Sequence, residues 1–205
     1  MIAEVYWPAV YKHLRLRFAM SREQAEDTVQ AFFLRIVEGD IFASYDPARS
    51  RFRTFLRQCL DNFAVDSHRH ASTQRRKPAE LELDFGAIEA TLVAVPAPDA
   101  AAFDREWVRR VAEVAVERLL ARLAKRGQHT HAQLFRRFHL EDDPPSYEAV
   151  AAELGIKSTD VTNWLHVARR EFRRVALELL REVTANREEF VDEARAVFGI
   201  DVADK

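Results

Sequence analysis

Apolar residues recur at helical spacing along most of this chain. Val5, Val10, Leu14 and Phe18 make one such run, and Ala25, Val29, Phe32, Phe33 and Ile36 a second. Breakers are scarce, since 205 residues contain only five Gly and seven Pro against many Ala, Leu, Glu and Arg. That balance favours helices over a sheet protein full of turns, and the expected fold class is all-α. With 48% apolar and 31% charged residues there is material for a core and no compositional case for global disorder.

Punctuation divides the pattern into elements. Gly39 ends the second run, and the polar stretch FASYDPARS, with its Asp46-Pro47 pair, reads as a loop. Helix resumes at about Ser50 and continues through SRFRTFLRQCLDNFAVDSHRH, with Asn62 as a weak point where a break could fall. Three or four helices thus fill residues 1–71. From Ser72 to Ala102 the periodicity fades and Pro78, Pro96 and Pro98 appear among small residues, which marks a linker. A long helix with Trp107, Val111, Val114, Leu119 and Leu123 follows, stopped by Gly127, then a shorter one with Leu134, Phe135 and Phe138. After the acidic EDDPP turn come two helices joined by a tight turn, and NREEFVDEARAVFGI closes the chain as an amphipathic helix. No internal repeat is found.

Charge is blocked along the chain. The formal net charge is only -2, yet residues 49–77 hold eight bases against two acids, and residues 78–107 hold seven acids against one base. Further basic stretches run from Arg109 to Arg137 and through Arg169, Arg170, Arg173, Arg174 and Arg181. Blocks of one sign sustain local fields at near-zero total charge, although solvated helix faces explain them equally. The single cysteine, Cys59, excludes an internal disulfide and any CxxC knuckle. The N-terminal stretch MIAEVYWPAVYKHLRLRF has acids and bases among its apolar residues and reads as neither signal peptide nor membrane span, so a cytoplasmic protein is expected. The His68-Arg69-His70 and His129-Thr130-His131 pairs lack the partners of a metal site. No G-x-S-x-G, P-loop or HExxH occurs, and no catalytic residue, metal or cofactor is expected.

Near the C-terminus, Ala151, Gly155, Ile156, Val161 and Leu165 have helix-turn-helix spacing. Alanine lets two helices cross closely, glycine accepts a left-handed turn and the aliphatics fill the wedge. Ser158 or Thr159 is expected to cap the second helix.

Three stretches in order, AEDTVQAFFLRIV, FRTFLRQCLDNFAVDSHR and SYEAVAAELGIKSTDVTNWLHVARREFRR, resemble regions 2 and 4 of bacterial sigma-70 family factors, most closely the compact extracytoplasmic-function group. The segment from FDREW through the tail resembles members with a C-terminal extension. The resemblance implies region 2 over residues 1–71, a flexible acidic linker over 72–102, region 4 over 103–185 with its helix-turn-helix at 146–174, and an extension over 186–205.

It also implies partners and roles. Core RNA polymerase would dock on Glu26, Asp27 and Gln30, although a merely solvated face explains the same residues. Promoter DNA at the minus-ten element would meet a loop centred on Asn62, with Phe55 and Phe63 as stacking surfaces or as core, Asp66 and Arg69 facing the melted strand, and Arg49, Arg51, Arg53 and Arg57 on phosphates. The minus-thirty-five element would meet Ser158, Thr159, Thr162, Asn163 and His166, followed by Arg169 and Arg170. Here the chain departs from the family pattern. Thr162, Trp164 and Val167 replace common basic positions, and Asp160 sits where a helix N-terminus would otherwise attract phosphate. Upstream recognition is therefore expected to be altered or given over to a protein, with Trp164 as a contact. The acidic linker suits a basic channel in the polymerase, and equally a plain tether. An anti-sigma factor is a further partner that the resemblance leaves open. The rival readings are a sigma-like adaptor and a free-standing helix-turn-helix regulator.

Overall fold

The computed structural model describes residues 2–39, 44–73 and 98–202, the side chains of 68–73 and 98–99 excepted. Among the described residues there are eight helices and no strand. These are α1 (Ile2–Arg17), α2 (Arg22–Glu38), α3 (Phe52–Thr73), α4 (Pro98–Lys125), α5 (His129–His139), α6 (Tyr147–Leu154), α7 (Ser158–Val183) and α8 (Arg187–Phe198). The all-α expectation holds. Most of the expected linker, residues 74–97 with Pro78 and Pro96, lies outside the described residues. Its last part is helical, because Pro98 occupies the first position of α4, where a missing N–H costs nothing and the fixed φ suits the helix.

The chain forms two compact units, residues 1–110 with 183–190 and residues 111–182 with 191–205. This division differs from the sequence expectation at two places. The first half of α4 and the start of the expected C-terminal extension belong with the N-terminal helices.

In unit 1, α1, α2 and α3 bury one side each. Val5, Tyr6, Val10 and Leu14 meet Val29, Phe32 and Ile36 of α2 and Leu56, Leu60 and Phe63 of α3 in the core. Fully burying each such side chain contributes about 1.5–3 kcal/mol. Phe103 and Trp107 of α4 complete that core, each 1% exposed, with Trp107 against Tyr6 and Phe103 edge-on to His13. α1 contains Pro8, which cannot donate to the Glu4 carbonyl, and Arg110 Nε of α4 donates there instead at 3.3 Å. α2 starts with a capping box: the Gln24 N–H donates to Ser21 Oγ, and the Ser21 N–H donates to Gln24 Oε1.

The start of α3 is capped from a distance. The Phe52 N–H donates to Glu189 Oε1 at 2.8 Å, while Ala185 N–H donates to the other oxygen of that buried carboxylate. The C-terminal segment thus supplies an acceptor that caps the first turn of α3. α3 then runs unbroken through Asn62, which overturns the expected weak point there. Leu56, Cys59, Leu60, Phe63 and Ala64 are all buried around it, and packing on that scale outweighs the modest helix penalty of one asparagine.

In unit 2, Leu119, Leu123, Phe135 and Ala168 form one apolar cluster. Leu134, Val150, Ala151, Val161 and Leu165 form another, with Phe138, Tyr147 and Trp164 against it. α6 is capped by Ser146, whose Oγ accepts from Ala149 N–H at 3.1 Å. It ends at Gly155 with φ 65° and ψ 32°, the left-handed turn that the helix-turn-helix spacing demanded. Capping of α7 differs from expectation. Neither Ser158 nor Thr159 caps it: Ser158 is already helical, and Asp160 Oδ2 accepts from Lys157 N–H at 3.1 Å. Asp160 therefore has a structural task at a helix N-terminus, which its charge also suits.

Candidate polymerase-docking and nucleic-acid interfaces

On α2 the residues three and four apart that do not enter the core make a continuous outer strip. Asp27 and Gln30 are exposed on it, as the helical period required. Glu26 is partly covered and pairs with Arg22 at 2.8 Å. Two residues that the motif reading missed extend the strip, Leu34 at 57% and Val37 at 82% exposure. Both are apolar and one or two turns beyond Gln30. Leu34 could have been found by its failure to fit the buried period of Val29, Phe32, Phe33 and Ile36, whereas Val37, four residues past Phe33, gives no such signal. An acid, an amide and two aliphatics on one helix side suit a protein partner better than they suit a phosphate backbone.

The expected minus-ten residues divide sharply. Phe55 and Phe63 are 4% and 5% exposed, with Phe55 against Tyr45 and Phe63 against Phe32. Their rings fill the core, so the stacking role expected for them is corrected in favour of the rival reading. Arg53 is also held inward. Its guanidinium lies 4.9 Å from the Trp107 ring centroid and its Nε lies 3.2 Å from Asp104 Oδ1. Arg57 and Asp66 are partly exposed, and the Arg69 side chain lies outside the described residues. Asn62 is partly buried in mid-helix, its Nδ2 enclosed without a hydrogen-bond partner, so it does not sit on a loop.

A longer loop in unit 1 lies between α2 and α3. Its described part is 44–51. Asp46 organises it, accepting from Ala48 N–H on its side chain and from Arg49 N–H on its carbonyl, and the Tyr45 hydroxyl donates to the Ser50 carbonyl at 2.8 Å. Burial, and then the carboxylates of Glu189 and Asp46, push the Tyr45 phenol up to about 12. Arg51 and Arg49 stand exposed on this loop, the latter 3.3 Å from Asp46.

The outer side of α7 carries Thr159, Thr162, Asn163, His166, Arg169, Arg170 and Arg173, all exposed and all within one side by helical spacing. Ser158 is partly covered. Trp164 is not on this side. It packs against the apolar cluster and stacks on His131 with centroids 5.5 Å apart, which corrects its expected role as an outward contact. Burial lowers His131 below the ordinary histidine range.

Most arginines of unit 2 are paired with carboxylates. Arg118 meets Glu182 at 2.6 Å, Arg122 meets Glu178 at 2.7 Å, Arg126 meets Glu171 at 3.2 Å, Arg137 meets Glu153 at 2.8 Å and Arg174 meets Glu178 at 3.1 Å. Arg169, Arg170 and Arg173 differ. Arg169 donates to His139 Nε2 at 3.0 Å and to the Tyr147 hydroxyl at 3.4 Å, and Arg173 donates to the Asp201 carbonyl at 3.0 Å. Arg170 is exposed with no partner among the described residues. Among the described residues, three charges on one helix side are thus left without a carboxylate, an arrangement that favours a polyanion.

Other chemistry finds little support. Among the described residues no group of three His, Cys, Asp or Glu is placed to hold a metal ion. Burial pushes the Cys59 thiol up to about 12, which makes it inert. An open cleft of about 470 Å³ between α4, α5 and α6 is lined by Leu120, Ala124, Ala132 and Arg136 and by the paired Arg137 and Glu153. No helix among the described residues is long and apolar enough to cross a membrane.

Residues 2–74 match the family model of sigma-70 region 2. That segment holds α1 to α3, with the exposed Asp27 and Gln30 strip and the 44–51 loop. The chain matches no curated protein and no solved structure.

Proposed function

We propose that this protein is a sigma factor of the extracytoplasmic-function type that docks on core RNA polymerase through α2 and directs promoter recognition and opening. The observation that carries the reading is the region 2 match over residues 2–74, joined to the outward strip of Asp27, Gln30, Leu34 and Val37. Promoter opening then follows from differential binding: unpaired bases gain contacts that stacked duplex bases lack. The minus-ten element meets the 44–51 loop and the start of α3 rather than Asn62, with Arg49, Arg51 and Arg57 toward phosphates. The outer side of α7 meets the upstream duplex with Thr159, Thr162, Asn163, His166, Arg169 and Arg170. No step requires a catalytic group or a cofactor.

Co-elution with bacterial core RNA polymerase on a sizing column tests the reading, beside an Asp27→Arg, Gln30→Ala double variant. The wild type is expected to shift with polymerase and the folded variant to elute alone. A folded wild type that never associates overturns the proposal. A second reading, a sigma-like adaptor that engages polymerase without reading an upstream element, draws on Asp160 at the N-terminus of α7, where a carboxylate repels phosphate. Footprinting separates the two, because the adaptor leaves the upstream element unprotected.

A further inference from the structure

We propose that His139 and Tyr147 are positioning residues that hold Arg169 as a preformed phosphate contact, an inference that rests on α7 facing DNA. A guanidinium tethered by carboxylates loses most of its outward field, whereas one tethered by neutral acceptors keeps its charge and loses only its freedom. Arg169 is of the second kind. Its Nε donates to His139 Nε2 at 3.0 Å and its terminal nitrogen to the Tyr147 hydroxyl at 3.4 Å. The side chain remains exposed, on the same side of α7 as Arg170 and Arg173.

The two holders are themselves held. The His139 ring lies 4.9 Å from Phe135, which is buried in the unit 2 core, and the Tyr147 ring sits edge-on to Phe138 at 4.8 Å. His139 accepts only while Nε2 is unprotonated. Desolvation of the ring, and then the Arg169 charge, lower it below the ordinary histidine range, so near neutral pH the acceptor is present. Fixing a rotamer-rich side chain before binding removes ordering cost from the complex. The holders therefore act on DNA through Arg169 and touch no phosphate themselves.

The experiment uses the full chain and a random-sequence 20-base-pair duplex, because phosphate contacts are independent of sequence. Affinity is followed by fluorescence anisotropy across a salt series for the wild type, Arg169→Ala, His139→Ala, His139→Gln, Tyr147→Phe and the His139→Ala, Arg169→Ala double variant. Losing one phosphate contact lowers the steepness of log K against log salt by about 0.9. Arg169→Ala is expected to show that change. His139→Ala should weaken binding severalfold, the double variant should bind no worse than Arg169→Ala, and His139→Gln, which keeps an acceptor, should recover most of the loss. Tyr147→Phe should lose less, its bond being the longer. If Arg169→Ala weakens binding while His139→Ala does not, or if the two losses add in full, the positioning role is overturned and the α7 reading stands. If the folded wild type shows no salt-dependent binding, the α7 reading fails and the inference falls with it.

Discussion

Arg53 of unit 1 and Arg170 of unit 2 carry the same side chain and stand in opposite surroundings. Arg53, near the start of α3, lies on the Trp107 ring and beside Asp104, and its side chain is only 12% exposed. Arg170 points outward from α7 with no partner among the described residues, between Arg169 and Arg173, whose own partners are neutral. Both belong to basic blocks, but a block of like charge says only that a field is possible. What decides is whether an acid on another element reaches the base first. In unit 1, α4 brings Asp104 to Arg53 and Glu106 to Lys12, while in unit 2 the acids of α6 and α7 satisfy Arg118, Arg122, Arg126 and Arg137 and, among the described residues, leave Arg169, Arg170 and Arg173 of α7 without a carboxylate.

The largest effect that can break this contrast is at Trp107. It is 1% exposed, touches Tyr6, and underlies Arg53. Trp107→Ala is expected to cost about 3–5 kcal/mol. Amide exchange should then quicken in α1 and α3, while α6 and the first half of α7 keep their protection. A uniform loss through all helices would show that the two units do not fold separately, and the contrast between them would lose its basis.

Glu106 gives the next effect. Its side chain is 7% exposed, with Lys12 at 2.9 Å and a close bond to Arg109. The Arg109 bond, against the opposing effect of burial and with help from Lys12, holds the Glu106 carboxyl below the usual range. A depressed acid stabilises the fold above its unfolded value, near 4.3 for glutamate, and that contribution is lost as pH falls through the folded value. Glu106→Gln should cost about 2 kcal/mol at neutral pH, reduced from a fully buried pair because Lys12 is half exposed. The same variant should flatten the acid limb of a thermal-stability profile below about pH 4.5. An acid limb as steep as the wild type's would mean that Glu106 is not the group being protonated.

The helices themselves were readable from residue spacing, and so was the Gly155 turn, because periodicity reports which side of a helix is buried and glycine reports where the backbone turns left-handed. Periodicity does not report what the buried side meets. Phe103 and Trp107 were recognisably apolar, yet nothing local assigns them to the core of α1, α2 and α3 and not to the helices that follow. Glu189 and Phe52 are 137 positions apart, and no short motif joins an acid in a C-terminal helix to a bare N–H at the head of α3. At the candidate sites, the exposure of Asp27 and Gln30 followed from helical spacing, whereas their docking role came only from the family resemblance. Phe55, Phe63 and Trp164 did not, since an aromatic at helical spacing serves a core or a ligand equally until the neighbouring element is known. Asp160 looked like an obstacle to DNA and proved to hold the first turn of α7.

The smallest effect separates the two arginines directly. Arg53→Ala removes a ring contact and the apolar stem that covers Trp107, and should lower unit 1 stability by about 1–2 kcal/mol. Because its charge is already answered by Asp104, the salt dependence of duplex binding should stay at the wild-type slope. Arg170→Ala should do the reverse. A solvated side chain without partners changes stability by no more than about 0.5 kcal/mol, whereas the loss of one phosphate contact reduces the salt slope by about 0.9. Thermal unfolding and salt-series anisotropy on the two variants read both axes. If Arg53→Ala flattens the slope while its stability is unchanged, Arg53 leaves Asp104 to meet DNA, and the inward placement is one state of a base that still serves the promoter.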